Sequence, residues 1–535
     1  MQNSWLVLLP PFIVLICTFL TGRLNGSLIA GILSGALIAN DLSIPQAITL
    51  SLSRLLEETT KSDNIYMYVF LLTISVIIVL LNRTGAALAF AHSITQKLRT
   101  PQMAETASLM LSSTLFIDDY LNGLTVGFVM RPITDRFKIP RAKLAFLVHT
   151  MTGPLIILAP ISSWVAALTG ALDQAGISPT KSPQTQILAD PFFIYLETIP
   201  YIFYSLLIIG SAWFIVRKRI SYGSMKMHEK TAQLSGNLFG GRDPIPNKFE
   251  CSLSFTGSIG DLVWPIAILI GSVIIGNLWS GGYFLLGGTH SLLDAFKNNQ
   301  ETFKVLCISG FITLAFTLSK AIISKKIKTK DLAKIFYDGI HMMMGAIFMV
   351  VLALTLGSII KNDLATGEYL ATIVQGSLPL SLMPVLFFAI SSTIATVTGS
   401  AWGTMFILVP IAVPMLISLG HVTAPVMPNA VPLLFPTLGA IFSGAACGNH
   451  LSPIADTTIM TSTSSGCYPI DHTKTQFPYA IPAIISTSIA YLLAGWLAPC
   501  SKRMSLIIPL LTAILLCIVI LYTLNYVSNK ENNEK

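Results

Sequence analysis

The chain is 535 residues long, 53% hydrophobic and only 11% charged, with a mean hydropathy of +0.71, a composition that excludes a soluble globular protein and describes a polytopic membrane protein. The net charge of +8 implies no nucleic-acid partner, because Lys and Arg fall in short loops between apolar runs, where positive-inside topology accounts for them. Seven cysteines, at positions 17, 251, 307, 447, 467, 500 and 517, show no CxxC pairing, which argues against both a disulfide framework and a zinc site.

The first apolar stretch, Trp5 to Leu20, lacks a basic leader and reads as a retained span rather than a signal peptide. Runs long enough to cross a ~30 Å hydrocarbon core follow in order near 4–22, 24–42, 65–90, 143–170, 192–216, 258–281, 302–323, 339–360, 430–458, 478–498 and 504–526. That predicts about 11 spans. Two further apolar stretches, about 106–130 and 380–418, are interrupted by Gly, Pro, Asp, Asn and Ser and read as re-entrant hairpins.

Basic residues mark Arg131 to Lys143, Arg217 to Lys248 and Lys325 to Lys334 as cytoplasmic loops. The loop 91–105, with His92, Lys97 and Arg99, reads the same way, so 106–130 enters and leaves on one side. Counting from there puts the N-terminus outside and the C-terminus inside.

Three short matches recur in order about half a chain apart. Thr84-Gly85 answers to Thr366-Gly367, Ser112-Ser-Thr-Leu-Phe116 to Ser391-Ser-Thr-Ile-Ala395, and Ala159-Pro-Ile-Ser-Ser-Trp164 to Ser452-Pro-Ile-Ala-Asp-Thr457. The expected fold is all-α, with two inverted repeats of five spans plus one hairpin each and one extra C-terminal span. Its parts are a first repeat over 1–216, a cytoplasmic linker over 217–257, a second repeat over 258–498, and a final span and tail over 499–535.

Two polar islands stand out: Phe116-Ile-Asp-Asp-Tyr-Leu-Asn-Gly-Leu-Thr125 and Gly448-Asn-His-Leu-Ser-Pro-Ile-Ala-Asp-Thr-Thr458. A carboxylate at bilayer depth costs roughly 2.5 to 3.5 kcal/mol on insertion scales, so Asp118, Asp119 and Asp456 read as ion or proton sites and as Na⁺ candidates. The bland alternative is a helix cap or an ion pair. Neighbouring carboxylates repel, and a pair that shares a proton is a physical basis for exchanging H⁺ against a cation. Adjacent helical residues point about 100° apart, so one Asp can face the site while the other caps a helix or pairs with Arg131.

Asn122 and Thr125 offer the hard oxygens an alkali cation prefers, although Thr125 reads equally as a packing residue. Thr398, Ser400 and Thr404 give the second hairpin tip the same hydroxyl-rich character without a carboxylate. In the second island Pro453 breaks a helix beside Asn449, Ser452, Asp456 and Thr457, and Asp456 is the first candidate ligand. His450 is either a pH sensor or a packing residue. Ser162 and Ser163, after Pro160, hold the repeat-equivalent place, while His149 and Trp164 are site wall or packing. No GxxxxGK[ST] motif occurs, and no loop is long enough for a catalytic domain, so an enzyme, an ATP-driven pump and a bound cofactor are not expected.

These motifs, together with Met130-Arg-Pro-Ile-Thr-Asp-Arg136, give a chain that resembles the NhaC-type sodium/proton antiporters of the ion transporter superfamily from about residue 60 to 498. It departs at Leu451 and Ala455, where that family usually carries Cys and Ser. The resemblance implies exchange of Na⁺ for H⁺ across a bacterial inner membrane by alternating access, in a homodimer within the lipid bilayer. The alternative is a cation-coupled organic-acid or amino-acid transporter of the malate/lactate type on the same fold. A channel or scaffold fits less well, since neither needs inverted halves and an intramembrane acid together.

Overall fold

The computed structural model describes residues 4–21, 23–86, 89, 98–244, 257–297, 299, 301–375 and 378–533. His92 and Lys97, part of the loop used above for orientation, and the 245–256 stretch of the linker lie outside the described residues.

Helices account for nearly all of the regular structure. The first half comprises α1 (Leu9–Thr21), α2 (Leu24–Ala39), α3 (Ile44–Thr60), α4 (Ser62–Arg83), α5 (Pro101–Thr114), α6 (Asp119–Arg136), α7 (Arg141–Thr150), α8 (Gly153–Ile156), α9 (Ser163–Gln174), α10 (Pro191–Thr198) and α11 (Phe203–Lys218). The linker carries α12 (Gly223–Ser235). The rest comprises α13 (Ile259–Ser280), α14 (Leu292–Lys297), α15 (Thr302–Ile323), α16 (Leu332–Ser358), α17 (Thr366–Val374), α18 (Met383–Thr398), α19 (Ala401–Leu419), α20 (Leu434–Leu451), α21 (Asp456–Ser465), α22 (Pro469–Leu497) and α23 (Lys502–Asn533). Among the described residues the strands are a parallel two-residue pair, β1 (Ile177–Ser178) and β2 (Ile187–Leu188), beside isolated bridges at Ile187–Val426 and Tyr283–His290.

Among the described residues, eight helices are long and apolar enough to cross a membrane, or nine if the pair Pro191–Tyr201 and Phe203–Ser235, bent by 48°, is one span. The difference from about 11 has local causes. α1 and α2 are 13 and 16 residues long, short of the ~20 that a straight crossing needs. The apolar runs at 143–170 and 430–458 each break into separate helices, as their Pro and Gly residues favour. Conversely, both arms of the 380–418 stretch pass as full-length helices, whereas α5 has only 14 residues.

α19 and α20 form the centre: almost every residue of both is buried. α20 packs along α18, where Ser391 Oγ donates to the Ile441 carbonyl at 2.7 Å. α13 and α23 stay largely exposed along their apolar lengths, as helices facing lipid do. α6 packs closely on α21 because Gly127 has no side chain: a Cβ there would lie 2.5 Å from Ser464 Cβ.

Candidate functional site

The first polar island is the turn between α5 and α6. Asp118 is the N-cap of α6, its Oδ1 accepting from the Leu121 amide at 3.0 Å. Asp119, the first helical residue, accepts from the Trp164 indole N–H at 3.3 Å through Oδ2. One turn on, Asn122 Nδ2 donates to the Ser112 carbonyl (2.9 Å) and the Met151 carbonyl (3.2 Å), tying both hairpin arms to the end of α7. Thr125 is buried three residues further along that face.

The break between α7 and α9 lies beside this turn. Ser162 caps α9, and the Ser163 amide donates to the Ile117 carbonyl at 2.8 Å.

In the second half, α18 and α19 are joined through Gly399, whose φ of +68° is the left-handed geometry that glycine adopts without strain. Ser400 caps α19 by accepting from the Gly403 amide at 3.1 Å, Thr398 Oγ1 accepts from the Ser400 amide at 3.2 Å, and Thr404 Oγ1 donates to the Ser400 carbonyl at 2.8 Å. These hydroxyls are engaged with their own backbone. Between α20 and α21, Asn449 Nδ2 donates to the Gly399 carbonyl at 3.1 Å, and Thr457 Oγ1 donates to Asn449 Oδ1 at 2.7 Å.

Asp456 joins the two islands: its Oδ2 accepts from the Tyr120 hydroxyl at 3.0 Å and its Oδ1 from the Thr457 amide at 2.8 Å. A second cross-half contact sets Trp164 edge-on to Trp402, with ring centroids 6.1 Å apart. All four helix breaks therefore meet.

The three carboxylates differ in exposure. Asp118 and Asp119 are 1% and 7% exposed, whereas Asp456 is open to the surroundings. Among the described residues no Lys or Arg pairs with any of them. Arg131, a sequence-based partner for the Asp pair, lies instead at the far end of α6 against Gly466. Of the two roles anticipated for the pair, capping falls to Asp118. Of the buried oxygens here, Ser112 Oγ, Asn122 Oδ1 and Ser452 Oγ have no hydrogen-bond partner, while the Ser163 hydroxyl serves the Asp118 carboxylate. Buried polar atoms are ordinarily bonded, and neutral hard oxygens left open beside a carboxylate suit an alkali cation or a proton.

A histidine cluster adjoins the second island. His149 Nε2 lies 3.0 Å from Thr457 Oγ1. His149 Nδ1 lies 3.0 Å from His472 Nε2 and 3.2 Å from Gln476 Oε1. His450 is held by the Tyr204 hydroxyl at 2.8 Å, the arrangement of a packed, hydrogen-bonded residue. Sequence reading missed Tyr120, Ser112, His472 and Gln476. Tyr120 and Ser112 lie inside motifs already singled out, while His472 and Gln476 precede the apolar run that marked the start of α22.

Residues 155–496 match the model of the Na⁺/H⁺ antiporter family. An uncharacterized protein of Haemophilus influenzae is 31% identical over 502 residues, spanning 92% of this chain and 91% of that one. The malate-2H⁺/Na⁺-lactate antiporter of Bacillus subtilis is 28% identical over 170 residues, 31% of this chain and 33% of its own length. Among solved structures, the YdaH transporter of Alcanivorax borkumensis shares the fold with a TM-score of 0.52 at 13% identity, over 85% of this chain and 89% of that one. With its match to the family model across most of its length, this multi-pass membrane protein is a transporter rather than an enzyme, and it belongs to the Na⁺/H⁺ antiporter family.

Proposed function

We propose that the protein exchanges Na⁺ for H⁺ across the bacterial inner membrane by alternating access. The observation that carries this reading is the buried carboxylate of Asp118 at the two first-half breaks, with Ser112 Oγ and Asn122 Oδ1 buried nearby and lacking hydrogen-bond partners. A bound ion takes these oxygens as ligands, and protonating the Asp118/Asp119 pair removes the charge that holds it. Asp456 is the outer ligand, with Asn449, Ser452 and Thr457 behind it. Thr398, Ser400 and Thr404 shape the opposing tip through their backbone, Ser162 sets the start of α9, Thr125 lines the α6 wall, and His450 supports α20.

In this reading residues 1–216 and 258–498 are inverted halves of five crossings and a hairpin each, joined by the cytoplasmic linker 217–257, with 499–535 as an added span. The N-terminus lies outside, the C-terminus in the cytoplasm, and two copies assemble in the bilayer. Na⁺ and H⁺ are the transported ions, and no resident cofactor takes part.

The test is an imposed Na⁺ gradient across proteoliposomes, which should drive proton movement with no organic solute present. Asp456→Asn should abolish that movement while the protein still inserts; wild-type flux in the variant would remove Asp456 from the site. The similarity to the Bacillus subtilis antiporter favours a second reading, organic-acid exchange. Proton movement that begins only after malate or lactate is added would establish it. Against it, no Lys or Arg among the described residues pairs with the site's carboxylates, and Arg131 lies at the other end of α6, which leaves only helix N-termini to anchor an anion.

A further inference from the structure

The linker does not hang free between the halves: its segment 219–242 is laid across one face of the molecule. Helices that lead to a break have a second end, and on this face the ends of α5, α6, α7 and α21 come together. α5 presents Glu105, α6 presents Asp135, α7 begins with Arg141 and Lys143, and α21 runs out at Gly466 before α22 brings Asp471 in its first turn.

The linker grips them through an ion network centred on the buried Lys143 and Glu105. Lys143, 5% exposed, lies 2.8 Å from Glu105 and 2.5 Å from Glu229 of α12, and Arg219 lies 3.5 Å from the other oxygen of Glu105. Two cations and two anions balance, and Ser221 Oγ also donates to Glu229.

A second set of contacts reaches the other half. Arg242 pairs with Asp471 at 3.1 Å and lies over the Tyr468 ring, and the Tyr222 ring stacks on Tyr479 with centroids 4.4 Å apart. Between the two sets sits Arg141. Its guanidinium bonds Asp135 (2.9 Å) and the Gly466 carbonyl (3.2 Å) and lies over the ring of Phe239 from the linker. The strap thus holds α5, α7 and α22 directly, and α6 and α21 through Arg141, at the ends remote from the carboxylates.

We propose that segment 219–242 is a latch that holds the site closed toward its own face, and that the Lys143–Glu105–Glu229–Arg219 network must come apart for the site to open there. Opening on this face requires the tied ends to separate, and parting α5 or α22 from α7 breaks contacts to the strap. Buried ion networks add little net stability compared with apolar packing, and their better-attested use is to select one arrangement over another. The latch rests on the exchange reading, in which that face is cytoplasmic.

Cys467 is a natural reporter, since it is 6% exposed at the α21–α22 corner beneath the strap. The full-length protein in nanodiscs is treated with a polar maleimide, and modification of each cysteine is followed by peptide mass spectrometry. Glu229→Gln and, separately, Arg242→Gln should speed labelling of Cys467 about tenfold by favouring local opening, while the buried Cys307 and Cys447 stay as slow as in the unaltered protein. Unchanged labelling of Cys467 in both variants overturns the latch. So does equal acceleration at all three cysteines, which marks a merely structural network. Labelling needs no ion flux, so a protein that labels as expected yet fails to exchange Na⁺ for H⁺ sinks the exchange reading and leaves the strap standing.

Discussion

Asp118 and Asp119 are neighbours in sequence with different tasks, because the chain enters a helix between them. Asp118 holds extended backbone and caps α6, while Asp119 turns toward the Trp164 indole. Asp118→Asn keeps an oxygen for the Leu121 amide, whereas Asp118→Ala loses it at a cost of about 1 kcal/mol. The alanine variant should therefore melt at the lower temperature, read by thermal unfolding in detergent, and equal melting would show that the cap contributes nothing. Trp164→Phe removes the indole N–H together with one of its two fused rings, so Asp119 loses its donor and a small cavity opens beside it. The expected outcome is a weaker apparent affinity for Na⁺ with normal expression, measured as the Na⁺ dependence of proton flux.

At the scale of elements, the breaks depend on close backbone approach. A Cβ on Gly399 would lie 3.1 Å from the Ala455 amide nitrogen, and φ there is +68°, so Gly399→Ala combines about 1–2 kcal/mol of left-handed strain with a push between two breaks. Its thermal stability should fall, and its exchange rate should fall further than that of a variant equally destabilised elsewhere. Away from the site, Asp190 caps α10 and accepts from Thr302 of α15 at 2.8 Å, and burial pushes its carboxyl up to about 7. The folded protein then holds a proton that the unfolded chain releases near pH 4, so stability from this group is present below about pH 4 and lost as pH rises through about 7. In Asp190→Asn the melting temperature should drop less between pH 5 and 8 than in the unaltered protein. The hairpin at 106–130, the break at Pro453 and the carboxylates were legible in the sequence because polar residues inside apolar runs are expensive and hence conspicuous. α12 was not, since a half-polar linker helix has no composition that separates it from a loop. His472 and Gln476 escaped for a related reason: the first two turns of α22 are polar, and hydropathy locates only the apolar part of a helix.

For the molecule as a whole, the contact between α6 and α21 decides whether the halves part during transport. Gly127 and Ser464 face each other, so a cysteine at each position is within reach of a disulfide after about 1 Å of relaxation. If the halves separate in the cycle, oxidising Gly127→Cys/Ser464→Cys should stop exchange and reduction should restore it; full exchange in the oxidised form would show that α6 and α21 travel as one body. The unequal exposure of the carboxylates has a consequence for hydration. A carboxylate as open as Asp456 is tolerable at membrane depth only where water reaches it. In the proposed exchange, an ion arriving there would keep part of its shell, and only on passing to Asp118, Asn122 and Ser163 would the last waters leave. Desolvation would then be divided into two smaller barriers, and discrimination between ions of different size would fall on the second, where the protein alone supplies the oxygens.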